Sequence, residues 1–165
     1  GEWVNTEEVK AQGLGNQSET TSLSPDFQIH IHVCPWHTQF KNMGLPEAGL
    51  LYCKDLDASI SRGFNPEIRY EVSQTLHDHD YCIQTIRNAG LTPESNMAKN
   101  PAGLRSFEYH CAHSYWAYRE VCEAIFGEEG TRLAERVLDD FAAEYGKKMA
   151  DTLAEYARTN FNIAD

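Results

Sequence analysis

The clearest periodic signal in the chain runs from Phe27 to Cys34. Phe27, Ile29, Ile31 and Val33 alternate with Gln28, His30, His32 and Cys34, the period-two pattern of a half-buried strand. Pro35 ends it, because proline has no N–H to give to a ladder. Trp36 to Met43 reads as a short helix or turn, broken by Gly44. Pro46 suits the first position of a helix, and Glu47 beside it sits near the positive end of the dipole. That helix is predicted to reach about Ser61 and stop at Gly63. Ile68–Thr75 and Tyr81–Arg87 read as two further strands. The connector Leu76–Asp80 is short enough for an antiparallel hairpin.

The flanks are patterned differently. Trp3 is expected to pin a short initial strand with Val4, and Gly13–Ser24 to form a loop or linker. Residues 88–103, punctuated by Gly90, Pro93, Pro101 and Gly103, read as a loop. The last third is helical. Leu104, Phe107, Cys111, Tyr115, Tyr118, Cys122 and Ile125 share one face, and Gly127 and Gly130 then interrupt the pattern. Leu133, Val137, Phe141, Tyr145, Met149 and Leu153 follow at spacing four, a long amphipathic stripe. Such a stripe serves as core or as the seam of a homodimer. The order β-α-β-β followed by two long C-terminal helices predicts an α+β fold, a small antiparallel sheet packed against helices. At 165 residues a single domain is expected, with 1–25 linker-like, 26–88 the β-α-β-β core and 104–158 the helical pair.

Composition narrows the function classes. The chain carries 14 basic and 25 acidic residues, a net charge of −11, which repels phosphate backbones and anionic lipid. Neither nucleic acid nor membrane is expected as a partner; the partner is a small-molecule substrate or ligand. No apolar run approaches a membrane span and no signal peptide is visible. The five cysteines, at 34, 53, 82, 111 and 122, are odd in number and widely spaced. They read as reduced thiols in a cytoplasmic protein. The chain starts at Gly1 without Met, as a processed or trimmed chain does.

The predicted helix from Pro46 carries the most informative face. At 100° per residue, Leu50, Cys53, Leu56, Asp57 and Ile60 fall together. A carboxylate in an apolar stripe must be compensated, or its pKa rises. Cys53 and Asp57 are therefore candidate catalytic residues. His30, His32 and Cys34 share a strand face and are base-type or ligand-type groups, with His32 the candidate proton donor. His30, His32 and Asp57 together would make a zinc-like set if they met, so a divalent metal is a candidate cofactor, although no residue is assigned as a ligand; no organic cofactor is expected. In the run Thr75-Leu-His-Asp-His-Asp-Tyr-Cys82, His77 and Asp78 are read as a solvated tip, and Cys82 as a candidate neighbour of Cys53. His110 and His113, three apart on a helix, are read as a surface pair. Among Arg62, Arg69 and Arg87, a guanidinium for a substrate carboxylate is sought; Arg69 is carried forward.

Several spaced motifs fit one family. Cys34-Pro35, Leu45-Pro46-Glu47-Ala48-Gly49-Leu50-Leu51-Tyr52-Cys53-Lys54-Asp55-Leu56-Asp57, Arg62-Gly63-Phe64-Asn65-Pro66, Thr75 and Asp80-Tyr81-Cys82 resemble the bacterial L-2-amino-thiazoline-4-carboxylic acid hydrolase family over residues 27–87. Its pattern of a Glu, a Cys and an Asp four apart on a helix, a Thr and a closing Cys falls on Glu47, Cys53, Asp57, Thr75 and Cys82. His79-Asp80 stands where relatives have Gly-Asp. The helical pattern from Phe126 to Gly146 follows the central strand instead of preceding it, the order of a permuted or truncated member. The resemblance implies hydrolytic opening of a cyclic C–N bond in a small thiazoline-type amino acid, giving S-carbamoylcysteine. The competing reading is a non-catalytic small-molecule-binding or sensing domain.

Overall fold

The computed structural model describes residues 7–13, 15–98, 101–103 and 105–162. The strand expected around Trp3 and Val4, and Leu104 of the first helical stripe, lie outside the described residues. The order of elements is α1 (Glu7–Ala11), β1 (Gln17–Ser22), β2 (Phe27–Val33), α2 (Pro35–Asn42), α3 (Pro46–Phe64), β3 (Tyr70–Gln74), β4 (Cys82–Ile86), α4 (Phe107–Phe126), α5 (Glu128–Tyr145) and α6 (Lys147–Glu155). The fold is α+β. The chain divides into two compact units, residues 2–98 and 99–165.

The first unit is a four-stranded sheet of order β1-β2-β4-β3, with every neighbouring pair antiparallel. β2 and β3 therefore run parallel with β4 between them, and α2 and α3 make the crossover. Register assigns the two faces, because side chains alternate along each strand. Ile31 lies opposite Cys82, Ile29 opposite Gln84, and Val72 opposite Gln84. Ile29, Ile31, Tyr70, Val72, Cys82 and Gln84 thus share the face that meets α3. Gln28, His30, Glu71 and Thr85 point the other way. The segment expected as a linker instead supplies β1. Gln-Ser-Glu-Thr-Thr-Ser has no apolar alternation, and its largely exposed side chains are those of an edge strand held by backbone pairing.

α2 starts on Pro35 itself, so the residue that ends β2 also opens a helix. α3 runs through Gly63 to Phe64 and stops before Pro66, since the residue before a proline is pushed out of the helical region. Its packed face is rotated from the predicted one. Gly49, Cys53, Leu56 and Asp57 are wholly or partly buried, whereas Leu50 and Ile60 are exposed.

The second unit is helical, and its predicted pair is a trio. The stripe expected as one long helix breaks at Gly146, which joins α5 to α6 with φ 96° and ψ 146°, a conformation that excludes a side chain. Gly130, Ala134, Ala150 and Leu153 are buried, while Leu133, Val137, Tyr145 and Met149 are exposed. Apart from Leu153 and half-buried Phe141, small residues rather than the large ones of the stripe are the buried positions of these helices. Among the described residues no helix is long and apolar enough to cross a membrane.

Candidate active site

Cys53 and Asp57 stand one turn apart on the packed face of α3; Asp57 has a partner from the sheet and Cys53 one from the turn between β3 and β4. Asp57 Oδ2 accepts a 2.6 Å hydrogen bond from Gln84 Nε2 on β4. Gln84 Oε1 in turn accepts from the Tyr70 hydroxyl on β3. Cys53 Sγ lies 3.5 Å from His77 Nε2. His77 comes from the turn between β3 and β4, where exposure to solvent was expected.

The turn is built to deliver that ring. Buried Thr75 donates to Asp78 Oδ1 from its backbone N–H and from Oγ1, at 3.1 and 2.8 Å. Thr75 Oγ1 accepts from the His77 N–H at 3.2 Å. Gln74 Nε2 clamps the Tyr81 carbonyl at 2.8 Å. The Leu76 N–H points at Cys82 Sγ, 3.2 Å away. The result is a tight loop held by its own hydrogen bonds, with His77 turned onto α3. Gly49 makes the landing possible. A Cβ there would stand 2.3 Å from His77 Cε1 and 2.9 Å from Phe40 Cβ, so only glycine lets the ring seat. His37 of α2 packs edge-on against the same imidazole, with ring centroids 4.9 Å apart.

The electrostatics keep the thiols and the imidazole of this cluster neutral at rest. Burial pushes the Cys53 thiol up to about 12, reinforced by Cys34, Asp57 and Cys82. Burial likewise raises Cys82 to about 11, against the Leu76 N–H. Cys34 is raised by burial and held back by the N–H groups of His37 and Trp36. His77 is lowered by burial and by His37, against Asp78. Burial raises the Asp57 carboxyl above 3.8, and the Gln84 amide opposes it. These directions follow from desolvation, which disfavours whichever form carries charge.

Of the residues singled out from the sequence, Cys34, Cys53, Asp57 and Cys82 come together here. Cys34 reaches the cluster because strand alternation ends at Val33 and Cys34 is the cap of α2. Thr75 supports it through the turn. Glu47 is exposed on the first turn of α3. His30 and His32 do not join: they lie on the opposite face of the sheet, where Glu19 Oε1 is 3.9 Å from His30 Nδ1 and 3.3 Å from His32 Nε2. Tyr81 stacks on His30 at 4.6 Å. A set of His30, His32 and Asp57 is therefore not assembled, and among the described residues no three His, Cys, Asp or Glu side chains converge to hold a metal. His32 is excluded as a proton donor to a group on α3 by the thickness of the sheet. Arg69 is exposed just before β3, and Arg87 is bound to Asp26 and Glu71 at 2.8 and 2.6 Å. His113 stacks on Phe161 and His110 on Phe107. A groove of about 390 Å³ in the helical unit, lined by residues such as Trp116 and Arg158, holds none of the clustered thiols.

Three residues of the cluster were missed by sequence reasoning: Tyr70, His77 and Gln84. For Gln84 the signal was available. A polar residue two positions from Cys82 on one strand shares its face, so a Cys82 turned toward Cys53 places Gln84 toward α3. No curated protein and no solved structure matches the chain. Residues 7–82, just under half of the chain, match the family model of L-2-amino-thiazoline-4-carboxylic acid hydrolase, the family the sequence resembles, and that segment carries Cys34, Cys53, Asp57, Tyr70, Thr75, His77 and Cys82.

Proposed function

We propose that the chain hydrolyses a cyclic C–N bond in a small thiazoline-type amino acid, with Cys53 as nucleophile, His77 as its proton partner and Asp57 as the base for water. The observation that carries this is the contact of Cys53 Sγ with His77 Nε2 at 3.5 Å, one helical turn from Asp57. A thiol and an imidazole at that separation form the pair needed for nucleophilic catalysis. Cys53 Sγ attacks the ring carbon between nitrogen and sulfur, and its proton passes to His77 Nε2. The carbon–nitrogen bond breaks, and the nitrogen leaves as an amine carrying that proton. The carbon is now bound to Cys53. Water, giving its proton to Asp57, attacks the same carbon; the bond to Cys53 breaks and the thiol regains a proton. The sum is one water added across the ring C–N bond.

Ring opening of 2-amino-thiazoline-4-carboxylate, followed by intact-protein mass spectrometry, tests the scheme. Cys53→Ala is expected to abolish turnover, and Asp57→Asn to accumulate a covalent adduct on Cys53. Full turnover by Cys53→Ala would remove the nucleophile and leave water attack assisted by Asp57 alone. Binding without turnover by the unmodified chain would favour a small-molecule-binding domain.

A further inference from the structure

Gln84 is a buried amide wedged between two groups of opposite demand. The Tyr70 hydroxyl lies against Oε1, and Asp57 Oδ2 lies 2.6 Å from Nε2. An amide can reverse, exchanging its donor and acceptor ends. Tyr70 decides which way it points. The phenol keeps its proton because burial and Asp57 raise its pKa, so it is a donor seeking an acceptor. With Oε1 taken by Tyr70, the NH2 end is left to face Asp57. The reversed amide would set a carbonyl oxygen against Oδ2, tolerable only if Asp57 carried a proton.

We propose that Tyr70 and Gln84 are positioning residues that hold Asp57 as a carboxylate with Oδ2 occupied, leaving Oδ1 as the atom that takes the proton from water. The proposal rests on the role given to Asp57 above. In the releasing step, Oδ1 accepts the water proton as the new carbon–oxygen bond forms and the carbon–sulfur bond to Cys53 breaks. The spent Asp57 holds its proton on the side away from Gln84, so the amide need not turn during a cycle.

The other titratable groups facing Asp57 are Cys34 at the head of α2, Cys53 on α3, Tyr70 on β3 and Cys82 on β4; β2 presents only apolar side chains, Phe27, Ile29, Ile31 and Val33, on this face. All four stay neutral into the alkaline range, so they contribute no acid limb to a pH profile. His77 and His37 do titrate on the acid side. The site is therefore read directly, by carboxyl-carbon NMR of Asp57 in the full chain beside the pH profile of turnover. In Tyr70→Phe the amide is free to reverse. The Asp57 midpoint and the acid limb of turnover are then expected to rise together by about one pH unit, the worth of one hydrogen bond, with the high-pH plateau kept. Gln84→Met, which removes the donor outright, is expected to move both at least as far. An unmoved Asp57 midpoint in either folded variant would overturn the proposal, as would a lowered plateau with a fixed limb. A raised midpoint in a chain that never turns over the thiazoline would leave the positioning intact and sink the proposed function instead.

Discussion

Gly49→Ala is the sharpest single perturbation of the candidate site. The added Cβ would stand 2.3 Å from His77 Cε1, 2.8 Å from His77 Nε2 and 2.9 Å from Phe40 Cβ. Carbon atoms pack at about 3.5–4.0 Å, so the imidazole must withdraw by roughly 1 Å or more. His77 Nε2 is already 3.5 Å from Cys53 Sγ, and that contact would not survive the retreat. Stability is affected much less. Overpacking against Phe40 costs about 1–3 kcal/mol, but alanine inside a helix is worth about 1 kcal/mol more than glycine, and the imidazole sits at the end of a side chain in a turn that can yield. A net loss under about 2 kcal/mol is expected. A misplacement of about 1 Å in a catalytic group lowers turnover by roughly 100-fold. The assay is kcat/KM for ring opening beside thermal unfolding. The reasoning fails if Gly49→Ala keeps kcat/KM within about threefold of the parent, since the ring would then be displaced without consequence.

Other outcomes follow from the same geometry. The Asp57 carboxyl is held above its ordinary 3.8 in the fold, so the native state binds its proton more tightly than the unfolded chain, and stability falls as pH rises from that value through the folded pKa. Asp57→Asn is therefore expected to resist denaturant better than the parent at pH 7, with the difference vanishing below pH 3.8; equal stability at pH 7 would count against burial of the charge. With the Cys53 thiol near 12, iodoacetamide labelling of that residue, followed by peptide mass spectrometry, should be slow at pH 7 and keep rising to pH 10, and a plateau below pH 9 would show an activated thiolate. His32→Gln is expected to keep kcat/KM within about threefold, because His32 pairs with Glu19 on the far face of the sheet; a larger fall would place that face in the mechanism.

The fold was legible where one period dominated. Phe27–Val33 alternates strictly, and its apolar side is the side that meets α3. Cys53 and Asp57 were legible for the same reason, since a polar pair on an apolar helix face must be compensated from somewhere. What compensates them was not, because Gln84 and Tyr70 arrive by strand register, and no local spacing states which residues of β3 and β4 stand opposite each other. β1 was hidden because an edge strand with an exposed surface needs no apolar alternation. His77 was hidden because a His-Asp-His-Asp run suits a wet turn. The hydrogen bonds of Thr75 with Asp78 and His77, and the bare backbone of Gly49, convert that turn into a holder for an imidazole.

The resting site also constrains when its chemistry can begin. The Cys53 thiol near 12 and the His77 imidazole below its usual 6.5 disfavour proton exchange at rest, so a thiolate–imidazolium pair is not stored in advance. In the proposed scheme the proton therefore moves as the bond to the substrate carbon forms, when negative charge on sulfur is consumed by that bond instead of being left in a desolvated place. A lowered His77 then serves the second half of the step better than the first. As a cation it is a strong acid, and it readily surrenders the proton to the departing nitrogen. Asp57 complements it, because a raised carboxyl is a better base toward water than an ordinary one. Under the proposed scheme, burial thus delays the first proton transfer and assists the two that follow, the order that such a hydrolysis would require.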